Sequence, residues 1–208
     1  MPTSISLKDV ERVKKHAKSL KSTYPHLSHS VRLNRAAQEL FRARSYHELA
    51  KWRETTIASY VTDDGAVAIC KFCGLYFGPD IREDQQLHRK RHDVFEEALN
   101  ALGRIPEQHR EREDRKRAGY ELIYEGNNIE ERVNGALEIL HAWFDRSLES
   151  SIENGFWKRH PKFEVYVSYM MGDLTQFPDD VRKVLEGRFG RQDGMIKPGH
   201  SYWYPPAH

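Results

Sequence analysis

Apolar residues recur every three or four positions along most of the chain, and this period predicts a mainly α protein. Residues 1–60 carry three such segments, and Pro25 ends the first of them. Three short helices with a tight turn before the last are compatible with a helix-turn-helix. We therefore predict a helical amino-terminal module over residues 1–60.

Serine residues precede the three predicted helices of this module. Ser6 precedes the first helix, Ser28 or Ser30 the second, and Ser45 the third. A serine at this position accepts a hydrogen bond from a free backbone N–H of the first helical turn. Ser45 and Glu48 also have the spacing of a capping box, in which the glutamate reaches back to the N–H of the cap residue.

The broadest apolar stripe lies in the carboxy-terminal part, residues 104–208. Residues 129–152 carry it at helical spacing, and Gly155 follows as a terminator. Residues 163–169 also alternate as a strand would, but we favour a helix there. Pro178 suits the first turn of a last helix. We predict a helical domain over residues 104–208.

A shorter pattern separates these two helical parts. Within residues 61–103, the segments 66–69 and 75–77 predict two short strands, and a helix is expected to begin near Glu83. The predicted fold is therefore mainly α, with a ββα unit embedded between two helical parts.

The embedded unit contains both cysteines of the chain and a pair of histidines. Two residues separate Cys70 from Cys73, and three separate His88 from His92. Zinc prefers this set of two thiolates and two imidazoles in structural sites. Four protein ligands leave no open position for water, so we predict one closed, structural Zn²⁺ site and no catalysis there. With both cysteines in this motif, a disulfide framework is not expected, and a reducing cytoplasm is.

Residues 70–95 also match a longer motif. It runs C-x2-C-G-M-x-Y, then E-D, then H-x3-H-x2-F; here Leu75 replaces the methionine and Phe77 holds the place of the tyrosine. The segment resembles the zinc finger of sister-chromatid cohesion acetyltransferases. We find no acetyl-CoA loop downstream, so the resemblance implies a zinc-binding finger with the same four ligands and not the acetyltransferase activity.

Residues 26–49 carry a second, shorter motif, in which Leu27-Ser28-His29-Ser30 is followed by Leu33, Ala37, Tyr46 and Leu49. This segment resembles a helical module of bacterial proteins related to the glyoxalase superfamily. The glycine before the aromatic residue is missing, and Leu49 stands in place of a tryptophan. The resemblance implies a bacterial or mobile-element origin and no defined activity.

The finger lacks side chains suited to reading bases. Fingers of this type contact bases from helix positions −1, 3 and 6, which here are Ile81, Asp84 and Leu87. None of the three has the donor groups of arginine, asparagine or glutamine. We therefore do not expect base reading by this finger.

Positive charge is concentrated at the amino-terminal end. Residues 1–60 hold 12 Lys and Arg against 5 Asp and Glu, whereas the remainder holds 21 against 26. This asymmetry favours contact with a polyanion, although the cations can also simply solvate helix faces. Six of these cations cluster on and between the second and third predicted helices, and we take them as candidate phosphate contacts: Arg32, Arg35, Arg42, Arg44, Lys51 and Arg53.

The segment PGHSYWYPPAH near the carboxyl end is rich in aromatic residues and proline. Its side chains can dock on the protein body or contact a partner. Tyr202, Trp203 and Tyr204 are the candidate partner-binding residues.

The sequence contains no complete catalytic motif that we recognise. Glu138 and His141 have the E-x-x-H spacing of a di-iron helix, but the chain has no second copy. His141 and Asp145 have the spacing of a metal pair, and His160 precedes a proline. No nucleophile elbow, P-loop or H-E-x-x-H motif occurs.

These observations favour a non-catalytic, zinc-stabilised nucleic-acid-associated accessory or regulatory protein that also binds a protein partner. Two alternatives remain: a pure protein-interaction adaptor or inhibitor, and an enzyme with an unrecognised site in the carboxy-terminal helices. The chain has no apolar run of membrane-spanning length, so we expect a cytoplasmic protein, nucleoid-associated if it binds DNA, and no membrane partner.

Overall fold

A computed structural model describes residues 4–206 of the 208-residue chain. Helices make up most of these residues and one small sheet accompanies them, which confirms the predicted mainly α class. The chain divides into two compact units, which meet in sequence between Ala101 and Leu102. The predicted amino-terminal helices and the finger therefore fall in one unit.

The first unit begins with three helices. They are α1 (Leu7–Thr23), α2 (His29–Phe41) and α3 (Tyr46–Ala58). Small side chains on α1 and α2 let these helices approach closely, and the buried core contains Ile5, Val13, Ala17, Leu20, Ala36, Ala37, Ala43 and Leu49. The outer face of α1 is consequently fixed towards solvent.

The predicted serines cap these helices. Ser6 forms a capping box with Asp9, and Ser28 caps α2. Ser45 accepts the N–H of Glu48 at 3.1 Å. The Glu48 carboxylate, however, accepts the N–H of Arg44 at 2.6 Å rather than that of Ser45, so only half of the predicted capping box at Ser45 forms.

The finger follows α3 in the same unit. Strands β1 (Val61–Asp63), β2 (Ala68–Cys70) and β3 (Tyr76–Phe77) form an antiparallel sheet in that order, and α4 (Arg82–Leu102) follows. Strand β1 was not predicted. It adds a third strand to the predicted hairpin by pairing Val61 with Cys70.

The second unit is built from four helices: α5 (His109–Glu125), α6 (Ile129–Glu153), α7 (Phe163–Met170) and α8 (Asp179–Phe189). Short 3-10 turns lie at Trp157–Arg159 and Met171–Asp173. The alternating segment 163–169 is helical, as favoured from the sequence. Pro178 lies at the N-cap of α8, immediately before its first turn.

Helices α5 and α6 form a hairpin with a close backbone crossing. Gly119 on α5 and Gly135 on α6 face each other, so that a Cβ added at either residue would lie 2.6 Å from the carbonyl oxygen of the other. The absence of side chains at these two positions is what allows the approach. None of the helices within residues 4–206 combines the length and apolar character that crossing a membrane requires.

Candidate metal centre

The four predicted metal ligands come together at one end of the sheet. Cys70 ends β2, and Cys73 lies in the turn that leads to β3. The turn is closed by hydrogen bonds from Gly74 N–H to Cys70 O at 2.8 Å and from Cys70 N–H to Leu75 O at 3.0 Å. Gly74 has a φ of 71°, a left-handed conformation that glycine adopts without strain.

Helix α4 supplies the other two ligands from one of its faces. His88 and His92 are four residues apart, about one helical turn, so both imidazoles point towards the cysteine turn. All four side chains are buried, and their ligand atoms lie within 4.8 Å of one another. The four residues are therefore placed to hold one metal ion.

The spacing of one pair of these atoms, a sulfur and a nitrogen, fits tetrahedral coordination. Zinc–sulfur and zinc–nitrogen bonds of about 2.3 and 2.0 Å at a tetrahedral angle separate sulfur from nitrogen by about 3.5 Å. The Sγ of Cys70 lies 3.5 Å from Nδ1 of His92. The two atoms therefore have the separation of two ligands of one zinc ion.

His88 gives an independent test of the fit. Its Nε2 atom is buried and has no hydrogen-bond partner among the described residues. A buried polar atom without a partner costs about 1–3 kcal/mol. A metal ion held by the four side chains would bind this atom and remove the penalty.

The two thiols shift each other's pKa. A hydrogen bond from the Cys73 thiol to Cys70 lowers the pKa of the Cys70 thiol, whereas the neighbouring Cys70 sulfur and burial raise the pKa of Cys73. Coordination of a metal needs both sulfurs as thiolates, so it would displace the thiol protons.

Aromatic rings cover both histidines. Phe77 stacks on His88, with ring centroids 4.3 Å apart, and Phe72 lies 4.6 Å from His92. Phe95 is also buried, with the Arg91 guanidinium 4.6 Å from its ring centroid. The stacking of Phe77 was missed, although its inward position alternates with outward Tyr76 along β3.

Two aliphatic side chains are exposed at the start of the finger helix. Ile81 and Leu87, two of the positions from which a finger would read bases, are 51% and 55% exposed. The third, Asp84, accepts the N–H of Gly78 at 2.9 Å. The finger thus offers solvent two aliphatic side chains where base-reading fingers offer hydrogen-bond donors.

Two of the six candidate phosphate contacts lie inside the first unit. Arg53 is 7% exposed and pairs with Asp93 at 2.9 Å and Glu96 at 2.5 Å. Arg32 is also buried, and it donates to the carbonyl oxygen of Leu27. Their guanidinium groups hold the fold together and do not face solvent.

The other four candidates reach the surface. Arg35 pairs with Glu39 at 2.8 Å, and Arg44 pairs with Glu48 at 2.7 Å. Arg42, which ends α2 with a φ of 57°, is exposed, as is Lys51 on α3. Within residues 4–206, neither of these last two has an ion-pair partner.

Sequence reasoning did not single out α1, which carries the densest exposed positive charge of the first unit. Its six cations are all exposed, and none pairs with an acid in the part of the chain that the structure describes. They are Lys8, Arg12, Lys14, Lys15, Lys18 and Lys21. The signal was available, since the buried positions of α1 fix which residues face outwards.

The three aromatic residues near the carboxyl end have different environments. Trp203 is buried, pairs with Ile196 in a β-bridge, and donates its backbone N–H to Ser147 Oγ at 2.9 Å. Tyr202 accepts a hydrogen bond from Arg146. Tyr204 is 57% exposed and is the one of the three most open to a partner.

The candidate catalytic residues of α6 do not form a metal group. Glu138 pairs with Arg115, and Asp145 pairs with Arg104. The ring of His141 stacks on Phe163 instead. Across residues 4–206, the four finger residues are the one cluster of three or more His, Cys, Asp or Glu placed to hold a metal ion.

Comparison with known proteins gives no match: the chain matches no protein family, no curated protein and no solved structure.

Proposed function

We propose that the protein is a non-catalytic, zinc-stabilised accessory factor that binds the phosphate backbone of a nucleic acid through its first unit. The observation that supports this proposal most strongly is the row of exposed cations on α1. None of these six cations has an ion-pair partner among the described residues, so their charges are available to a polyanion.

Zinc is the proposed occupant of the metal centre. Two thiolates and two imidazoles are the zinc set, and they complete a tetrahedron without water. The ion would tie the cysteine turn to α4, as structural zinc does in small fingers, where it contributes about 10 kcal/mol or more to folding. Thiolate ligands need a reducing compartment, so we place the protein in the cytoplasm.

The geometry of α1 makes it suitable for backbone contact. Val13, Ala17 and Leu20 anchor one face in the core, so the flanking side that carries the residues after them is held in solvent. Lys14, Lys18 and Lys21 follow one another at helical spacing and cover about 10 Å of helix length. Such a row can neutralise neighbouring phosphates without reading bases.

Helices α2 and α3 add a smaller contribution to the proposed surface. Arg42 and Lys51 are exposed and unpaired among the described residues, and Arg35 and Arg44 remain at the surface in ion pairs. Because α3 offers solvent a single unpaired cation, the proposed contact is led by the backbone. It does not rely on a recognition helix in a groove.

A second candidate function is that of a protein-interaction adaptor, in which the finger contacts a protein partner. Ile81 and Leu87 on the finger, with Tyr76 on β3, expose large apolar side chains. Exposed aliphatic and aromatic side chains are more typical of protein contacts than of nucleic-acid contacts.

The proposal is tested by fluorescence anisotropy with a labelled mixed-sequence DNA duplex, and with RNA, over a salt series. The variant replaces Lys14, Lys18 and Lys21 by glutamine. A control replaces Arg110, Lys183 and Lys197, three exposed cations of the second unit, and changes the net charge equally. If all three lysines contact phosphates, the slope of log affinity against log salt falls by about 2.7, at about 0.9 per phosphate.

The expected result is wild-type binding that weakens steeply with salt, an unchanged control, and a clear loss in the α1 variant. No binding by the wild-type protein at low salt would exclude the nucleic-acid function and leave the adaptor as the better explanation. Equal losses in the variant and the control would show that net charge alone, and not α1, determines binding.

A further inference from the structure

The second unit contains a cavity of about 580 Å³ between the α5–α6 hairpin and the start of α7. This volume is within the range of small-molecule sites, which is roughly 300–1,000 Å³. The cavity is formed by residues of this unit and is separate from the metal centre and the α1 surface. Nothing in the proposed function uses it.

Aromatic and aliphatic side chains form the floor of the cavity. Phe144 and Phe163 meet edge to face, with ring centroids 5.5 Å apart, and Leu148 and Pro161 extend the apolar surface. A floor of this kind binds the apolar body of a ligand, because binding removes the hydrocarbon surface of both the ligand and the cavity from water.

His141 places a polar group against this floor. Its ring lies flat on Phe163, with centroids 3.6 Å apart and an interplanar angle of 6°. Neither ring nitrogen has a hydrogen-bond partner among residues 4–206. Burial, followed by the charge of Arg115, lowers the pKa of His141, so near pH 7 the ring is neutral and has one N–H to donate.

Lys162 is the cation of the cavity that can pair with a negative charge on a ligand. Lys162 at the start of α7 is exposed and lacks an ion-pair partner in the described part of the chain. Arg104 and Arg115 also line the cavity, but Asp145 and a pair of glutamates already neutralise them. Because the acids at the cavity, with the exposed Glu164, outnumber its cations, Lys162 can hold at most one negative charge, and a phosphate dianion would be repelled.

We propose that this cavity binds a small organic carboxylate with an aromatic or other flat apolar body. The body lies against Phe144 and Phe163, and the carboxylate accepts hydrogen bonds from Lys162 and the His141 N–H. The role is binding and not turnover. Ser147, the nearby hydroxyl, is buried and already engaged with His160 and Trp203.

The test uses 2-naphthoate as the anionic probe and 2-naphthalenemethanol as its neutral counterpart. Binding to the full chain is measured by calorimetry, and the contact is located from the histidine and phenylalanine ring signals in NMR spectra. Lys162→Gln removes the free charge. His141→Phe removes the N–H and keeps a ring that can stack. Lys183→Gln, an exposed lysine on α8, is the control.

We expect naphthoate to bind and to shift the ring signals of His141 and Phe163, with the alcohol binding more weakly. Lys162→Gln should weaken naphthoate binding by about two- to fivefold, the range of one exposed charge pair. His141→Phe should weaken naphthoate more than the alcohol. Lys183→Gln should change neither.

Three results would overturn the proposal: no naphthoate binding at millimolar concentration, equal affinity for acid and alcohol, or affinity that both cavity variants leave unchanged. Each can occur whether or not the protein binds nucleic acid, so failure here does not affect the function proposed for the first unit.

Discussion

Replacing Gly119 by alanine tests the close backbone crossing of α5 and α6 in the second unit. The added Cβ would lie 2.6 Å from the carbonyl oxygen of Gly135 and 2.8 Å from Cγ1 of Ile139. Ordinary contact begins at 3.4 Å, so the two helices must separate by about 0.8 Å. The oxygen belongs to a helix backbone, so a side-chain rotation cannot relieve the contact.

The expected cost follows from two opposing effects. Overpacking of a well-filled interior costs about 1–3 kcal/mol. Alanine in place of glycine in a helix returns about 0.5–1 kcal/mol. Gly119→Ala should therefore lower the free energy of unfolding by about 1–2 kcal/mol, or about 4–10 °C in melting temperature for a unit of this size.

Gly187→Ala is the matched control. Gly187 lies within α8, and a Cβ added there meets no atom within 4 Å, so this change should stabilise by about 0.5–1 kcal/mol. Both free energies come from urea unfolding followed by circular dichroism, with melting temperatures measured in parallel. The reasoning is refuted if Gly119→Ala is as stable as the wild-type protein, because the helices would then not cross as closely as described.

Three further predictions concern buried polar groups. Burial lowers the pKa of His160 to about 4, below its value in the unfolded chain. The second unit should therefore be fully stabilised above about pH 6.5 and lose up to about 3 kcal/mol as the pH falls to 4. In unfolding curves measured over a pH series, His160→Gln should reduce this pH dependence of stability, and an unchanged dependence would contradict the prediction. Arg53→Met should destabilise the first unit by about 3 kcal/mol in denaturant titration, because it leaves the carboxylate of Glu96 buried without its cation. Combining Arg53→Met with Glu96→Gln should recover part of this loss. If Arg53→Met alone left the stability unchanged, the ion pair would be exposed and not buried. With zinc bound, nitrogen-detected NMR should show His92 coordinated through Nδ1 and His88 through Nε2, and the same nitrogen in both rings would contradict the atom positions.

The parts of the fold that depend on neighbouring residues could be predicted from the sequence. Helix periods and serine caps act within one or two turns, so Ser6, Ser28 and Ser45 marked the helix starts. The metal centre is also local in this sense. Two cysteines in one turn and two histidines on one helical face are already paired by their spacing.

The remainder depends on contacts between residues far apart in the chain. Arg53 is buried because Glu96, 43 positions later, lies beside it, and no local pattern distinguishes it from exposed Lys51. Trp203 is buried where its backbone N–H reaches Ser147 Oγ, 56 positions earlier in the chain. Strand β1 has three residues and no periodic signal, so it forms only because β2 offers an edge to pair with.

We propose that Cys70, Cys73, His88 and His92, which lie close enough to hold one metal ion, hold a structural zinc ion. The most direct measurement is the zinc-to-chain ratio of the purified protein by plasma mass spectrometry, for the wild type, His88→Ala and His109→Ala, whose histidine is exposed on α5. We expect a ratio of one for the wild type and for His109→Ala, and a ratio near zero for His88→Ala. A wild-type protein without zinc, or full zinc content in His88→Ala, would contradict it.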